Sequence, residues 1–181
     1  MGNYSDSVSN ISTFIRLLCS SLYVDGGENE EVAVGCSGGR RDTRCWSTRL
    51  MWRTKGAGEL YTYLPSPDNA GFEANKRLCN VAPSSDCNPT YGASVGRGAF
   101  GFKSGQWNTV SQRVRLNDVG ESNGELELFV NGKSVINVDG LKFRDNAEGR
   151  FRGIQAQTFF GGEFPCDPLI CGVRDSHLAS L

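Results

Sequence analysis

The sequence lacks the histidines of common metal sites, the long apolar run of a membrane anchor and an overall positive charge. Its 181 residues include one histidine, His177, and no cysteine pair with the CxxC spacing of a zinc site. No apolar run approaches the roughly 20 residues that a membrane helix needs. The net charge is −1, so no overall field attracts the chain to nucleic acid or to an anionic membrane. We therefore expect no metal or other cofactor, no nucleic-acid partner and no membrane partner. A calcium ion is the alternative, because the loops contain the acids Asp42, Asp68 and Asp86.

The seven cysteines give the clearest indication of compartment. Cys36 with Cys45, and Cys79 with Cys87, each enclose a short loop that contains Gly, Ser, Asp or Pro residues. Such short-loop pairs in a β-rich chain predict two disulfides and an oxidising compartment, and free buried thiols in a cytosolic protein are the alternative. The sequence does not pair the other three cysteines, which are Cys19, Cys166 and Cys171.

The composition and the spacing of apolar residues predict an all-β domain. The chain contains 23 glycines, and turn signals separate short alternating segments. Asn131-Gly132 suits a type I′ hairpin turn, and residues 65–92 are predicted as a long loop closed by the second disulfide. No segment predicts a convincing helix. About eight strands, predicted at 31–35, 46–53, 58–64, 94–102, 107–116, 125–130, 133–138 and 150–160, imply a two-sheet antiparallel sandwich or β-jelly roll.

Two of these strands carry the most informative side chains. Residues two apart in a strand point to the same face. Tyr61 and Tyr63 therefore share a face of one strand. Ser47 and Arg49 share a face of the strand before it, and mostly apolar residues fill the opposite side of both strands. Phenols, a hydroxyl and a guanidinium on one polar face predict a cleft that binds an acidic sugar.

Alternation in other strands extends this polar face. Arginine and tyrosine cluster on it and lysine is scarce, which distinguishes it from the ordinary solvated face of a half-exposed antiparallel sheet. The same alternation places Gln155 and Gln157 on one side of their strand with Phe151 and Phe159. If one curved sheet collects these strands, the predicted substrate contacts are Arg53, Glu59, Arg113, Arg115, Gln155 and Gln157.

Several long blocks of the sequence carry a resemblance to a known family. They are Asn29-Glu-Glu-Val-Ala-Val-Gly-Cys-Ser-Gly-Gly-Arg-Arg-Asp, Ser47-Thr-Arg-Leu-Met-Trp-Arg, Gly56-Ala-Gly-Glu-Leu-Tyr-Thr-Tyr-Leu-Pro, Gln112-Arg-Val-Arg-Leu-Asn-Asp and Gly124-Glu-Leu-Glu-Leu-Phe-Val-Asn-Gly. With these blocks in this order, residues 26–162 resemble polysaccharide lyase family 14, the alginate and glucuronan lyases, and most closely its fungal-type members. The resemblance implies one β-jelly-roll domain at 26–162, a divergent N-terminal segment at 1–25 and a divergent C-terminal tail at 163–181, with incomplete terminal strands.

The resemblance implies that an acidic polysaccharide, a uronic-acid polymer, is broken by β-elimination. A cation neutralises the sugar carboxylate, a base removes the proton from the adjacent carbon, and an acid protonates the departing glycosidic oxygen. Arg49 is expected to neutralise the uronate, and Ser47 is expected to hydrogen-bond the substrate. Tyr61 or Tyr63 is expected to supply the acid or the base, with a phenol pKa lowered by the nearby guanidinium. The sequence does not assign their individual roles.

The N-terminal segment differs from the family pattern. Family members carry a catalytic lysine in a Gly-Lys-Leu-Pro-Gly-like segment just before a Leu-Tyr-Gly-Gly stretch. Here Leu22-Tyr-Val-Asp-Gly-Gly follows residues 16–21, which contain no lysine, and the first lysine of the chain is Lys55. We therefore hypothesise a weakly active or inactive lyase. The family and the paired cysteines imply an extracellular protein, although residues 1–25 lack the basic start and continuous apolar stretch of a signal peptide.

Two other functions fit parts of the same pattern. A non-catalytic carbohydrate-binding jelly roll would use the same arginines, glutamines and tyrosines as contacts, because fold alone does not define function. A glycoside hydrolase would need two carboxylates roughly 5–9.5 Å apart, and only Glu59 is well placed on the predicted face. Glu125 and Glu127 share a face of their own strand, which exposed alternation explains equally well. The pattern does not distinguish glucuronan from alginate, internal from chain-end cleavage, or one oligomeric state from another.

Overall fold

Ten strands form the framework of the part of the chain that the structure describes. The structure, a computed structural model, describes residues 9–15, 20–103 and 105–158. One short α-helix, α1 (Glu30–Ala33), and two 3-10 helices, Thr54–Gly56 and Glu73–Asn80, accompany the strands. The strands are β1 (Ser9–Ile15), β2 (Ser20–Gly27), β3 (Cys45–Trp52), β4 (Ala57–Thr62), β5 (Asp86–Cys87), β6 (Ala93–Gly101), β7 (Asn108–Arg115), β8 (Gly124–Val130), β9 (Lys133–Leu141) and β10 (Arg150–Thr158).

The strands form two antiparallel sheets. The larger sheet has six strands in the order β10-β2-β3-β4-β6-β5, and the smaller sheet has four in the order β1-β7-β8-β9. One buried apolar cluster joins them, with Val24, Leu50 and Leu60 from the larger sheet and Val114 and Leu128 from the smaller. Burying these side chains between the sheets is the main favourable contribution to folding. The prediction of an all-β, two-sheet antiparallel sandwich is confirmed.

Aromatic side chains fill one part of this core. Trp46 is fully buried, and its ring centre lies 5.1 Å from that of Phe143 and 5.3 Å from that of Phe151, both edge-on. Edge-to-face contacts add to the free energy gained by removing apolar area from water. Because Trp46 points into the core, Ser47 and then Arg49 along the same strand point to the other face of the sheet.

The predicted hairpin at 46–53 and 58–64 is present as β3 and β4. The register of the two strands pairs Arg49 with Tyr61. Their connection turns at Lys55 and Gly56, which have positive φ values of 63° and 74°. A side chain at Gly56 would place its Cβ 2.4 Å from a neighbouring carbonyl oxygen, so only glycine fits this turn.

Two segments differ from their predicted structure. Residues 31–35 were predicted as a strand, but 31–33 belong to α1. Asn29 caps that helix by accepting a hydrogen bond from the Val32 N–H at 2.9 Å. Residues 65–92, predicted as a loop, contain the 3-10 helix Glu73–Asn80 and strand β5. Both helices are too short to show the repeated apolar spacing from which a sequence predicts a helix.

Both predicted disulfides are present. Cys36–Cys45 joins the loop after α1 to the first residue of β3, and Cys79–Cys87 joins the 3-10 helix to β5. The unpaired cysteines of the sequence analysis, Cys19, Cys166 and Cys171, lie outside the described residues. None of the helices in the described ranges has the length and apolar character needed to cross a membrane.

Part of the N-terminal segment belongs to the sandwich. Neither β1 nor β2 was predicted from the sequence. In the structure β1 pairs with β7 at the edge of the smaller sheet, and β2 lies between β10 and β3 in the larger. The residues of β2 therefore contribute directly to the face described next.

Candidate active site

Polar side chains from five neighbouring strands line one face of the larger sheet, which we call the cleft face. The register pairs Gln155 with Tyr23 and Tyr23 with Arg49. It then pairs Arg49 with Tyr61 and Tyr61 with Ser94. The apolar residues between them along each strand point into the core, so this row forms a polar surface on the other side of the sheet.

Arg49 lies at the centre of the row, between two phenol rings. Its guanidinium carbon is 4.3 Å from the centre of the Tyr23 ring and 4.9 Å from the centre of the Tyr63 ring. Its Nε donates a hydrogen bond to Ser47 Oγ at 3.4 Å. The two cation–π contacts and this hydrogen bond fix the guanidinium in place and leave its terminal N–H groups for an anion.

Ser47 supports Arg49 from the sheet side. The Ser47 hydroxyl is buried and donates to the carbonyl oxygen of Cys36 at 2.7 Å. Cys36 is in turn bonded to Cys45 at the start of β3, so the disulfide loop holds this hydroxyl. Ser47 therefore orients Arg49, and its burial argues against the expected hydrogen bond from Ser47 to a substrate.

Tyr61 and Tyr63 lie side by side next to Arg49. Their ring centres are 5.4 Å apart, and the ring planes are inclined by 60°. The Tyr63 hydroxyl accepts a hydrogen bond from the Gly39 N–H at 3.4 Å, which ties this tyrosine to the disulfide loop. The structure brings both phenols and the guanidinium to one face, as the alternation of the sequence predicts.

The pKa of Tyr61 differs from the expectation of a lowered phenol pKa. Burial, followed by the neighbouring Tyr63, raises the pKa of the Tyr61 phenol, and the opposing charge of Arg53 does not compensate. The expectation is therefore wrong for Tyr61. A raised pKa keeps this phenol protonated at neutral pH, which suits a proton donor.

Hydrogen bonds join three side chains on the other side of Arg49. The Tyr23 hydroxyl donates to Gln155 Oε1 at 2.7 Å, and Gln155 Nε2 donates to Asp25 Oδ2. Burial raises the pKa of both Tyr23 and Asp25. Neither residue was predicted as part of the site, although the alternation in Leu22-Tyr-Val-Asp places Tyr23 and Asp25 on one face.

A small cavity opens beside Arg49. Its volume is about 30 Å³, and its walls include Tyr23, Asp25, Ser47 and Gln155. That volume has room for a water molecule, and these walls offer it polar partners. Across the described ranges, no three His, Cys, Asp or Glu side chains are grouped so that they could hold a metal ion.

Gln155 reaches the cleft face because β10 contains a β-bulge. The pairing of β10 with β2 shifts between Phe151 and Gly153. Phe151 consequently packs against Trp46 in the core, whereas Gln155 bonds to side chains on the opposite face. The prediction that Phe151 and Gln155 share a side is wrong for this reason. The side chain of Gln157 lies outside the described part of the chain.

Glu59 and Arg53 lie farther along the cleft face. The Glu59 carboxylate is fully buried and is held by Arg53, Arg97 and Ser94. The prediction that Glu59 contacts substrate is wrong, because both carboxylate oxygens already accept hydrogen bonds inside the protein. Arg53 stays partly exposed, so a substrate can reach it.

Arg113 and Arg115 are not part of this site. They lie on β7 in the smaller sheet, where Arg113 pairs with Glu125 and Glu127 at 3.0 and 2.9 Å and Arg115 pairs with Glu125 at 3.3 Å. Their neighbour Val114 is buried, so the arginines face outward from the opposite side of the sandwich. The prediction that they contact substrate is wrong, because alternation assigns a residue to a face of its strand but not to a sheet.

Solved structures define the class to which this fold belongs. The PL-14 alginate lyase from the marine Aplysia kurodai superposes with a TM-score of 0.65 and 31% sequence identity, covering 88% of this chain. The alginate lyase vAL-1 from a Chlorella virus superposes equally well at 18% identity, which supports the fold alone. This chain spans 64% of each of those two chains. The fold and the cleft face together are those of a polysaccharide-lyase-like jelly roll.

The family follows from the sequence match. The family model Polysaccharide lyase 14 matches residues 22–165, most of the chain. The chain therefore belongs to the polysaccharide lyase 14 family, and the resemblance found in the sequence is confirmed. No curated protein matches the sequence significantly.

Proposed function

We propose that the chain binds a uronic-acid polysaccharide on the cleft face and cleaves it slowly by β-elimination. The proposal depends on one observation, the Arg49 guanidinium fixed between the rings of Tyr23 and Tyr63, with Tyr61 paired next to it. Two of its structural relatives are alginate lyases, so alginate is the first polymer to test and glucuronan the second. The two disulfides support an extracellular location, since they persist in oxidising compartments.

Arg49 supplies the first requirement of the reaction. The proton on the ring carbon next to the carboxylate is only weakly acidic, because its removal adds negative charge to an anion. A guanidinium that binds both carboxylate oxygens stabilises that added charge. Since Ser47 and the two phenol rings already fix Arg49, the protein does not have to reorganise this cation during the reaction.

Tyr63 is the base in this proposal and Tyr61 is the acid. The proton to be removed lies beside the carboxylate that Arg49 holds, so the base is a phenol in contact with Arg49. Of the two, Tyr23 already donates its hydroxyl proton to Gln155, and burial raises its pKa, so Tyr63 is assigned as the base. The C–H electron pair becomes the new ring double bond as the C–O bond to the leaving sugar breaks. Tyr61, protonated because burial raises its pKa, donates its proton to that departing oxygen.

The missing lysine sets the expected rate. A phenol removes a proton only as phenolate, and a nearby ammonium group would favour that form. Residues 16–21 supply no lysine before the Leu22-Tyr-Val-Asp-Gly-Gly stretch. We therefore expect turnover well below that of family members that carry the lysine.

Replacing each tyrosine hydroxyl tests the assigned chemistry. Tyr61→Phe and Tyr63→Phe should each lower turnover on alginate or glucuronan by about a hundredfold or more, because each removes a proton-transfer group. Polymer affinity should stay nearly unchanged, since both rings remain. Turnover is followed by the ultraviolet absorbance of the unsaturated uronate product. Tyr91→Phe is the matched control, because Tyr91 is an exposed tyrosine outside this row.

A non-catalytic binding module is the second candidate, and the missing lysine favours it. It would bind the polymer through the same side chains without forming product. A wild-type chain that binds alginate or glucuronan but yields no unsaturated uronate would establish this second function. Turnover that survives both Tyr61→Phe and Tyr63→Phe would reject the roles given to the two tyrosines.

A further inference from the structure

Glu59 holds two arginines side by side on the cleft face. Its Oε1 accepts a hydrogen bond from Arg53 Nε at 2.8 Å and lies 2.7 Å from Arg53 Nη2 in an ion pair. Its Oε2 accepts from Arg97 Nε at 2.7 Å and from Ser94 Oγ at 2.6 Å. Arg97 also donates to Ser94 Oγ at 3.0 Å. The carboxylate is 0% exposed, so it is bound entirely within the protein.

This cluster carries an excess positive charge. Burial alone would raise the pKa of Glu59, but the hydrogen bonds from Ser94, Arg53 and Arg97 outweigh burial and lower it, so the carboxylate is ionised at neutral pH. One arginine would neutralise a buried carboxylate. The second leaves the cluster with a net charge of about +1 at a surface that also holds Arg49.

Both guanidiniums are accessible from the cleft. The Arg53 side chain is 42% exposed and that of Arg97 is 41% exposed. The Arg53 guanidinium carbon lies 5.9 Å from the centre of the Tyr61 ring, and Ser94, which Arg97 contacts, pairs with Tyr61 in the sheet. Each guanidinium has five N–H donors, more than these contacts use.

The spacing from Arg49 points to a different sugar of the same polymer. Arg53 follows Arg49 by four residues on extended backbone, which corresponds to about 13 Å between their Cα atoms. Arg49 is fixed between its phenol rings and Arg53 is held by Glu59, so neither guanidinium is free to turn toward the other, and each favours a carboxylate of its own. A polymer of uronic acids presents a further carboxylate on each sugar.

We propose that Arg53 and Arg97 form a second carboxylate-binding subsite, which takes a uronate some way along the polymer from the sugar held by Arg49. Glu59 is a positioning residue that fixes the two arginines. The subsite rests on the proposed function, because it assumes that an acidic polysaccharide occupies the cleft face. It explains why a buried carboxylate that one arginine would neutralise has two.

Oligouronates of increasing length test the subsite. Wild-type affinity should rise with chain length once an oligomer reaches from Arg49 to the arginine pair. Arg97→Gln should lower the affinity for long alginate oligomers about tenfold and leave the affinity for the shortest binding oligomer unchanged. Arg53→Gln should act in the same direction. Titration calorimetry measures both affinities.

Two controls separate this binding role from a structural one. Arg113→Gln removes an arginine of similar exposure from a carboxylate pair on the other sheet, so it should leave the length dependence unchanged. Long oligomers whose carboxyl groups have been reduced to alcohols should bind wild type and Arg97→Gln equally.

The possible failures are distinguishable. Equal affinity losses for all lengths, together with a lower melting temperature, would show that Arg97 is only structural. A length dependence that survives both Arg53→Gln and Arg97→Gln would also overturn the subsite, with the proposed function intact. A wild-type chain that binds no oligouronate of any length would overturn both proposals.

Discussion

Asp25 is a carboxylate that the fold holds in an unfavourable environment. It is 3% exposed, and burial raises its pKa, against the lowering effects of the Gln155 hydrogen bond and the Arg49 charge. A folded-state pKa above the unfolded value means that ionisation favours the unfolded chain. The cost is absent below the unfolded pKa of about 3.9, and it grows as the pH rises through the folded pKa.

Asp25→Asn should therefore stabilise the protein at neutral pH. An asparagine keeps an oxygen to accept the Gln155 N–H and removes the buried charge. The gain in free energy of unfolding, measured by urea denaturation, should shrink as the pH falls through the raised folded pKa of Asp25 and should vanish below about 4.

Asp42→Asn is the control of opposite sign. Arg44 lowers the pKa of Asp42, chiefly through its side-chain hydrogen bond, so ionised Asp42 favours the folded state above the unfolded pKa. That variant should lose stability at neutral pH, and its loss should fade as the pH falls through the folded pKa. A destabilised Asp25→Asn at neutral pH would show that the Asp25 charge helps the fold.

At the scale of single residues, the central residues of the site could be predicted from the sequence, but their neighbours could not. Arg49, Tyr61 and Tyr63 could be placed because the two-residue period acts within one or two adjoining strands. The pKa of Tyr61 could not, because burial depends on the whole surrounding structure. Tyr23 was missed because its strand, β2, was not predicted.

At the scale of elements, the two disulfides close loops of similar length but have different neighbours. Cys36–Cys45 and Cys79–Cys87 close loops of similar length, with separations of 9 and 8 residues. Each should stabilise the fold by about 2.5 kcal/mol if loop-closure entropy dominates. Only the first bond adjoins the site, because the Cys36 carbonyl accepts the Ser47 hydrogen bond.

Replacing each disulfide by a pair of serines should separate stability from function. Both double variants should lose a similar free energy of unfolding. The Cys36→Ser/Cys45→Ser variant should also lose affinity for alginate oligomers, since the loop that holds Ser47 and Tyr63 is released. The Cys79→Ser/Cys87→Ser variant should bind normally, and calorimetry at a temperature where both are folded makes the comparison. Equal affinities would show that the first loop does not order the site.

Bulges and short helices limited what the sequence could predict about elements. One shift in the pairing of β10 places Phe151 in the core and Gln155 on the cleft face, although their even spacing predicts one side. Gly153 adjoins that bulge, and an isolated glycine in a strand is a signal for one, but the position of the shift also depends on the partner strand. The helix α1 likewise depends on a single cap, Asn29, which a four-residue element gives little chance to recognise.

At the scale of the whole molecule, one buried hydrogen bond connects the sheets. Gln112 on β7 donates its side-chain N–H to Thr48 Oγ1 on β3, and both residues are buried. A polar contact in an apolar core requires both partners, since either one alone would be left unsatisfied.

A double-mutant cycle tests this connection. Gln112→Leu or Thr48→Val alone should each lower the free energy of unfolding by about 1–3 kcal/mol, because each leaves the other polar group without its hydrogen-bond partner. The double variant should lose less free energy of unfolding than the sum of the two, as measured by chemical denaturation. Strictly additive losses would show that the two groups do not depend on each other.

The assignment of strands to sheets could not be predicted from the sequence, because it depends on tertiary contacts. Arg113 and Arg115 alternate with buried residues on β7 just as Arg49 alternates with them on β3. The patterns are equivalent, and only tertiary pairing places the two strands in different sheets. Fold class and family could be predicted because they depend on many residues, whereas the extent of the cleft face depends on strand order.

The position of Arg49 between the Tyr23 and Tyr63 rings has a consequence for how a sugar of the proposed substrate would approach. A guanidinium enclosed on both sides can offer its N–H edge only through the gap between the rings. A carboxylate must therefore enter in the plane of the guanidinium. The sugar ring attached to it then stays outside the gap, so the two phenol rings set how closely that sugar can approach the sheet.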